Sequence, residues 1–183
     1  MAENISDSEL LIRFRNPETK EAAFTAIIKK YQEKLYWHIR RMVVNHDDAD
    51  DVLQNSFIRI WKGLENFRED ARLYTWLYRV ATNECLSFLD QKKRKSALSL
   101  DESSEALSNQ IKADKYFDPN KLEWKLQLAI QQLPEKQRLV FSLRYYDEMP
   151  YEEMSRVLET SEGALKASYH HAVKKIEDYI LNR

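Results

Sequence analysis

The chain of 183 residues contains only two glycines, Gly63 and Gly163. Loops that cradle phosphates and turns that bind dinucleotides need several glycines close together, because only glycine lets the backbone approach the ligand so closely. The sequence therefore argues strongly against enzymes built on such loops. Four prolines and abundant Leu, Glu, Lys, Arg, Gln and Ala instead favour an all-α fold.

The charge and cysteine content limit the partners and the compartment. Charged residues make up 32% of the chain but nearly cancel to a net charge of −1, so any nucleic-acid contact must come from local basic faces. The single cysteine, Cys85, forbids an internal disulfide and suits a reducing compartment. The first residues are acidic and polar, unlike a signal peptide, and no apolar run approaches the roughly 18–20 residues that cross a bilayer. We expect a cytoplasmic protein without membrane insertion.

Apolar residues recur at helical spacing through the first half of the chain. Ser6 and Glu9 form a capping-box pattern ahead of a short helix, and Pro17 favours the start of a long one. A run of four aspartates between 47 and 51 complements the dipole at the start of the next helix. A further helix is expected at about 73–95. Together these helices predict a first domain at 17–95.

Residues 96–118 interrupt the helical pattern. The segment is rich in Ser, Asp and Glu, and between 99 and 118 it carries five acidic residues against two lysines. This composition predicts a flexible acidic linker. Pro134, Pro150 and Ser161 then mark helix starts in a second helical domain, predicted at 119–183. The first helix of that domain is expected to turn these residues inward: Leu122, Leu126, Ala129, Ile130 and Leu133.

The last two helices have the spacing of a helix-turn-helix. Residues 151–158 form the supporting helix, and Ser161 is a good N-cap for the second. In such a unit the N-terminal part of the second helix meets base edges in DNA, and flanking cations meet phosphates. The alternative is an ordinary solvated helix with scattered lysines, and charge does not decide, because the basic residues here barely outnumber the acidic ones. The face opposite the apolar stripe carries Gly163, Lys166, Ala167, His170, Lys174 and Lys175, with His171 at its margin.

A second signal lies between 67 and 95, where aromatic and basic residues alternate. From Arg72 to Lys95 six basic residues face two acidic ones. Unstacked bases need ring faces for stacking and cations for the backbone, so this pattern is typical of single-strand binding. Trp76 could equally be a core residue, and the basic run at 92–95 could be a solvated helix end favoured by the dipole.

Four blocks in the order 47–61, 67–83, 133–146 and 161–166 together resemble one family. They read DDADDVLQNSFIRIW, FREDARLYTWLYRVATN, LPEKQRLVFSLRYY and SEGALK. In this order they are similar to the extracytoplasmic-function (ECF) sigma factors, the smallest two-domain bacterial sigma factors. The resemblance implies a protein that binds core RNA polymerase, recognises the −10 and −35 promoter elements and helps to open the duplex, with no cofactor.

The resemblance also implies roles for particular residues. The clamp coiled coil of the largest polymerase subunit would contact Asp51, Gln54 and Asn55. The loop at 66–70 would capture a flipped base of the −10 element, and α-helical residues after it would line the strand; the −10 set is Asn66, Phe67, Arg68, Asp70, Tyr74, Arg79 and Asn83. The second domain would sit on the flap of the second-largest subunit and read the −35 element through Ser161, Gly163, Lys166, Ala167, His170 and His171. Phe57 and Trp61 would pack the domain.

Three positions depart from the family pattern and leave an alternative open. Glu159 stands where the family usually has glycine in the turn, and Ser168 and His171 stand where it often has arginine. These departures fit a sigma mimic, which would bind an anti-sigma factor without supporting transcription; the retained aromatic loop and the Asp51–Gln54 pair argue against it. An anti-sigma factor is a partner in either case. An enzyme is disfavoured, because the four histidines show no metal-binding spacing.

Overall fold

A computed structural model describes residues 5–98 and 121–181 of the chain. Within these residues the chain forms eight α-helices and no strands, which confirms the predicted all-α fold. The helices are α1 (Asp7–Arg15), α2 (Lys20–Val43), α3 (His46–Leu64), α4 (Leu73–Leu98), α5 (Leu122–Gln131), α6 (Glu135–Tyr145), α7 (Tyr151–Leu158) and α8 (Glu162–Leu181). None of these described helices is long and apolar enough to pass through a bilayer.

Side-chain caps fix where the first helices begin. The Ser6 hydroxyl accepts a hydrogen bond from the Glu9 backbone N–H at 3.2 Å, as the capping-box pattern predicts. Asn45 plays the same part for α3, accepting from the Asp48 N–H at 3.0 Å. Each cap satisfies a backbone N–H that the helix itself leaves free, so Ser6 and Asn45 determine where α1 and α3 begin.

The helices α1–α4 pack around an apolar core with an aromatic cluster at one end. Phe24 lies between two other rings, with centroid distances of 4.9 Å to Trp61 and 6.4 Å to Phe57, both edge-on. Phe14 of α1 meets Trp61 at 5.3 Å. Edge-to-face contacts of this kind stabilise a core beyond the area they bury. Phe57 and Trp61 therefore pack the first helical unit, as expected.

The helices α5–α8 bury a smaller cluster of their own. Its buried members are Ala129, Ile130, Leu133, Phe141, Ala172 and Ile176. The expectation that Leu122 turns inward is wrong, since its side chain is 66% exposed. Leu122 is the first residue of α5, and the inward stripe starts one turn later with Leu126, which packs against the cluster.

The two helical units share one apolar interface. The main buried cluster contains residues of α2 and α4 together with residues of α6, α7 and α8. Met154 and Val157 of α7 and Leu143 of α6 are among its most buried members from the second unit, each at most 2% exposed. Helix α4 continues to Leu98, three residues into the predicted linker. The rest of that linker, together with the start of the predicted second domain, lies outside the described residues up to position 120.

Candidate nucleic-acid and polymerase interfaces

The turn between α7 and α8 has a left-handed residue at its centre. Glu159 has φ 50° and ψ 41°, the left-handed conformation that glycine adopts most readily. A residue with a side chain costs about 1–2 kcal/mol there, because its Cβ crowds the following carbonyl oxygen. Ser161 then accepts a hydrogen bond from the Ala164 N–H at 3.3 Å and starts α8. The predicted helix-turn-helix is therefore formed, with its strain at Glu159.

Helix α8 turns its apolar stripe inward and leaves the predicted DNA face open. Leu165, Ala172 and Ile176 are buried. A Cβ at Gly163 would meet no atom within 4 Å, so the backbone of the first turn is accessible. The six residues predicted to read the −35 element are all exposed: Ser161, Gly163, Lys166, Ala167, His170 and His171.

Lys166 is held near the start of α8 by two neighbours. Its Nζ lies 3.5 Å from a carboxylate oxygen of Glu162, one turn earlier, and 5.5 Å from the centre of the Tyr151 ring. The lysine side chain remains 60% exposed. An exposed i,i+4 pair is weak, so the amine is free to exchange the carboxylate for a phosphate.

The loop between α3 and α4 is anchored by two aromatic residues. Phe67 is only 6% exposed, and its ring lies 5.1 Å from that of Trp76. Trp76 in turn covers Gly63, where an added Cβ would lie 2.9 Å from the indole ring. Trp76 therefore packs the first unit, and Phe67 points into the protein instead of presenting its ring to a base. The other loop residues of the predicted −10 set, Asn66, Arg68 and Asp70, are exposed.

An open cleft of about 580 Å³ lies beside this loop. It is bounded by the start of α1, by Phe67 and residues 69–72 of the loop, by Leu73 and Tyr74 of α4 and by Arg156 of α7. Arg15 of α1 holds the loop in place, since it pairs with Glu69 at 2.7 Å. The cleft falls within the size range of small-ligand sites and has charged groups of both signs on its walls. The sequence did not indicate that α1 and α7 line this cleft, because both are far from the loop along the chain and only folding brings them next to it.

The next predicted −10 residues follow one another along α4. Tyr74 is half-buried, with its ring 4.5 Å from Tyr78, and burial raises the pKa of its hydroxyl. Arg79 and Asn83 are exposed. However, Arg79 forms an ion pair with Glu159 of the helix-turn-helix. The structure thus brings the two predicted DNA-reading regions into direct contact.

The predicted polymerase contacts lie on one exposed stripe of α3. Asp51, Gln54 and Asn55 all face solvent, while Val52 and Ser56 are buried behind them. Ile58 continues the stripe one turn further and is 49% exposed. Sequence reasoning missed Ile58, although its spacing from Asn55 and Gln54 places it on the same helix face.

A charged cluster joins the two units deep in their interface. Asp147 is 6% exposed, and its Oδ1 accepts from Arg41 at 3.0 Å and from the Tyr78 hydroxyl at 3.3 Å. Its Oδ2 lies 3.5 Å from Nδ1 of the fully buried His38. Burial alone would raise the pKa of Asp147, but His38 and Arg41 outweigh it and hold the pKa below its ordinary value. Nothing in the local sequence signalled this cluster.

Two family models match the chain over these same regions. The model described as Sigma-70 region 2 matches residues 27–95, and the model described as Sigma-70, region 4 matches residues 123–176. The RNA polymerase sigma-H factor of Pseudomonas aeruginosa is 30% identical, over 93% of this chain and 92% of its own length. The ECF RNA polymerase sigma-E factor of Escherichia coli is 29% identical, over 98% of this chain and 97% of its own.

Solved structures share the fold. The sigma factor RpoE of Bartonella quintana, in a complex with the anti-sigma factor NepR, aligns with a TM-score of 0.70 and 19% identity, covering 86% of this chain and 96% of that chain. CnrH, in a complex with the cytosolic domain of CnrY, aligns with a TM-score of 0.66 and 20% identity, covering 92% of both chains. At this level of identity the likeness concerns the architecture.

Proposed function

The chain belongs to the extracytoplasmic-function sigma factors, and from that premise we propose which of its surfaces carry each step of transcription initiation. The protein is a transcription initiation factor that binds core RNA polymerase and promoter DNA. Members of this family are transcription factors and not enzymes. We place its action in the cytoplasm, where the polymerase works and where the buried, unpaired thiol of Cys85 stays reduced.

The first helical unit, 17–95 in our division, would bind the polymerase through α3. Asp51, Gln54 and Asn55 form the polar part of this surface, and Ile58 adds an apolar contact at its end. A stripe of this kind on a rigid helix suits docking against another helix, since residues three and four apart present a continuous face.

The same unit would hold the −10 element between its loop and α4. Asp70 lines the cleft, Asn66 and Arg68 are exposed on the same loop, and Tyr74, Arg79 and Asn83 continue along α4. Phe67 supports the loop from inside by packing on Trp76, so its contribution to the −10 site is to fix the loop. The cleft next to the loop offers room for a base that has left the duplex.

The second unit, 119–183, would read the −35 element through α8. The observation that carries this assignment is the open first turn of α8, where Gly163 leaves the backbone accessible and all six predicted residues face solvent. A helix entering the major groove contacts base edges from this N-terminal part. Lys166 supplies the nearest cation for a flanking phosphate.

In vitro transcription tests this function directly. Core RNA polymerase is incubated with a pool of genomic fragments, with and without the full chain. New transcripts that share upstream sequence at two separated elements are expected. Failure to bind the core enzyme, together with no new transcript from the pool, would contradict the function. It would favour the sigma mimic, which the comparisons do not support.

We also propose an anti-sigma factor as a partner of this chain. The two similar structures with this fold are complexes of a sigma factor with NepR and of CnrH with the cytosolic domain of CnrY. Co-purification of the tagged full chain from its native cells, followed by identification of the bound protein, tests this proposal. A partner that blocks transcription in the assay above is the expected result, and a partner that leaves transcription unchanged would contradict it.

A further inference from the structure

Helix α1 reaches the loop between α3 and α4 from outside the part of the chain that the family model matches. The Sigma-70 region 2 match covers residues 27–95 and so leaves out α1, Asp7–Arg15. Nη2 of Arg15, at the end of α1, nevertheless donates to a Glu69 carboxylate oxygen at 2.7 Å and to the Phe67 carbonyl at 3.5 Å. One guanidinium group therefore holds both the backbone and a side chain of the loop.

The other end of α1 is fixed to α2. The Asp7 carboxylate accepts hydrogen bonds from the Tyr31 hydroxyl at 2.7 Å and from Lys30 Nζ at 2.8 Å. Burial, together with the Asp7 carboxylate, raises the pKa of Tyr31 above its ordinary value, so the hydroxyl keeps its proton and donates it to this bond. Between the two ends, Leu10 and Phe14 are at most 2% exposed. Helix α1 is therefore a rigid support from which Arg15 can hold the loop.

The backbone of the loop is strained at the residue that Arg15 binds. The N–H groups of Asn66 and Phe67 still donate to carbonyl groups of α3, but residues 67–69 follow no regular secondary structure. Glu69 has φ 59°, in the left-handed region that favours glycine. A residue with a side chain stays in this conformation when its surroundings compensate the strain, and such residues cluster at functional sites. The contact with Arg15 supplies such compensation to Glu69.

The cleft beside the loop is built from the same two elements. The loop supplies residues 69–72 to its wall. Helix α1 supplies Asp7, Ser8 and Leu11. The distance between α1 and the loop therefore sets the width of the cleft, and Arg15 is the residue of α1 that fixes this distance. A site that already has its binding geometry loses less free energy to ordering when the ligand arrives.

We propose that Arg15 is a positioning residue of the −10 site. Through Glu69 and the Phe67 carbonyl it sets the loop geometry in which a flipped base is captured, without touching the base itself. This inference rests on the proposed −10 role of the loop. It deepens that role, because it makes α1 part of the −10 site and names the contact that holds the loop ready.

The test measures base preference with the full chain bound to core RNA polymerase. The template is a promoter recovered from the genomic pool, randomised at its −10 and −35 elements, and the transcribed templates are sequenced. The variant is Arg15→Ala. The matched control is Arg13→Ala, which removes the same charge from the same helix, where Arg13 pairs with Glu9 one turn earlier. Urea unfolding of each variant measures its stability separately.

We expect Arg15→Ala to reduce the base preference at the −10 element about tenfold, near the lower end of what one base position is typically worth, and to leave the −35 preferences unchanged. Arg15→Lys keeps a cation for Glu69 and should restore part of the preference. Glu69→Ala should shift the preference in the same direction, and adding it to Arg15→Ala should change nothing further, because both act through one contact.

A merely structural role of Arg15 gives a different result. It would lower transcription from all templates in proportion and leave the preferred bases as they are. That result, or equal −10 preferences for Arg15→Ala and Arg13→Ala, would overturn the inference. A loss of preference at both promoter elements would also overturn it, because α8 reads the −35 element far from the loop along the chain.

Failure of the proposed function can be told apart from failure of this inference. If Asn66→Ala and Arg68→Ala leave the −10 preferences unchanged, the −10 role of the loop is wrong and the inference fails with it. If those two variants relax the −10 preferences while Arg15→Ala matches Arg13→Ala, the role of the loop stands and the positioning role of Arg15 is wrong.

Discussion

The two glycines of the chain sit in opposite environments although both lie in helices. Gly63 is near the end of α3 beneath the Trp76 ring, where a Cβ would approach the indole to 2.9 Å. Gly163 is in the first turn of α8, where a Cβ would meet no atom within 4 Å. One glycine thus serves packing inside the first unit, and the other leaves the proposed DNA face open.

Substitution of each glycine by alanine should therefore change stability in opposite directions. Gly163→Ala is expected to stabilise by about 0.5–1 kcal/mol, because alanine loses less backbone entropy on helix formation. Gly63→Ala gains the same backbone-entropy contribution, but its Cβ would push the Trp76 ring away from Phe67. Overpacking of this kind typically costs about 1–3 kcal/mol. Urea unfolding of both variants measures the difference. If Gly63→Ala stabilised the protein as much as Gly163→Ala does, the close contact with Trp76 would be refuted.

At the scale of a helix, the sequence predicted what depends on local periodicity. The exposed faces of α3 and α8 follow from the 3.6-residue repeat, so Asp51, Gln54 and Lys166 could be placed on open faces in advance. The inward turn of Phe67 could not be predicted, because it depends on Trp76 packing over α3. The Arg79–Glu159 ion pair could not be predicted either, because its two residues are 80 positions apart in the sequence.

Lys166 of α8 is expected to contribute one phosphate contact when the holoenzyme binds its promoter. Lys166→Ala should weaken binding and make the slope of log K against log salt shallower by about one, since each neutralised phosphate releases roughly 0.9 counterion. The control is Lys34→Ala, which removes an exposed lysine of α2 that we assign to no interface. An unchanged slope for Lys166→Ala would show that the amine serves only Glu162 and Tyr151 within the helix-turn-helix.

At the scale of the whole molecule, a buried acid of the second unit joins it to partners on the first. Asp147 belongs to the turn after α6, while His38, Arg41 and Tyr78 belong to α2 and α4. Gln131 of α5 adds a hydrogen bond to the Arg41 carbonyl at 3.4 Å. Removing the acid would leave the Arg41 charge and His38 Nδ1 at the interface without their acidic partner. The packing of the two units against each other therefore depends on Asp147 more than on the exposed ion pairs around it.

The lowered pKa of Asp147 makes the free energy of unfolding depend on pH in the acid range. Because the folded protein holds this pKa below its ordinary value of 3.8, the ionised acid stabilises the fold above that value. The contribution is lost as the pH falls below about 4 and through the folded pKa. Asp147→Asn should therefore lower the free energy of unfolding by about 1–3 kcal/mol near neutral pH and flatten its decline at acid pH.

Urea unfolding across the pH range, combined with small-angle scattering, checks this expectation. Asp147→Asn should increase the radius of gyration near neutral pH, since the acid ties the second unit to α2 and α4. Glu148→Gln is the matched control, because it removes the neighbouring exposed carboxylate. If the free energy of unfolding of Asp147→Asn fell at acid pH as steeply as that of the control, Asp147 would not be the titrating group. If its radius also stayed unchanged, the apolar contacts of Met154 and Val157 alone would hold the units together.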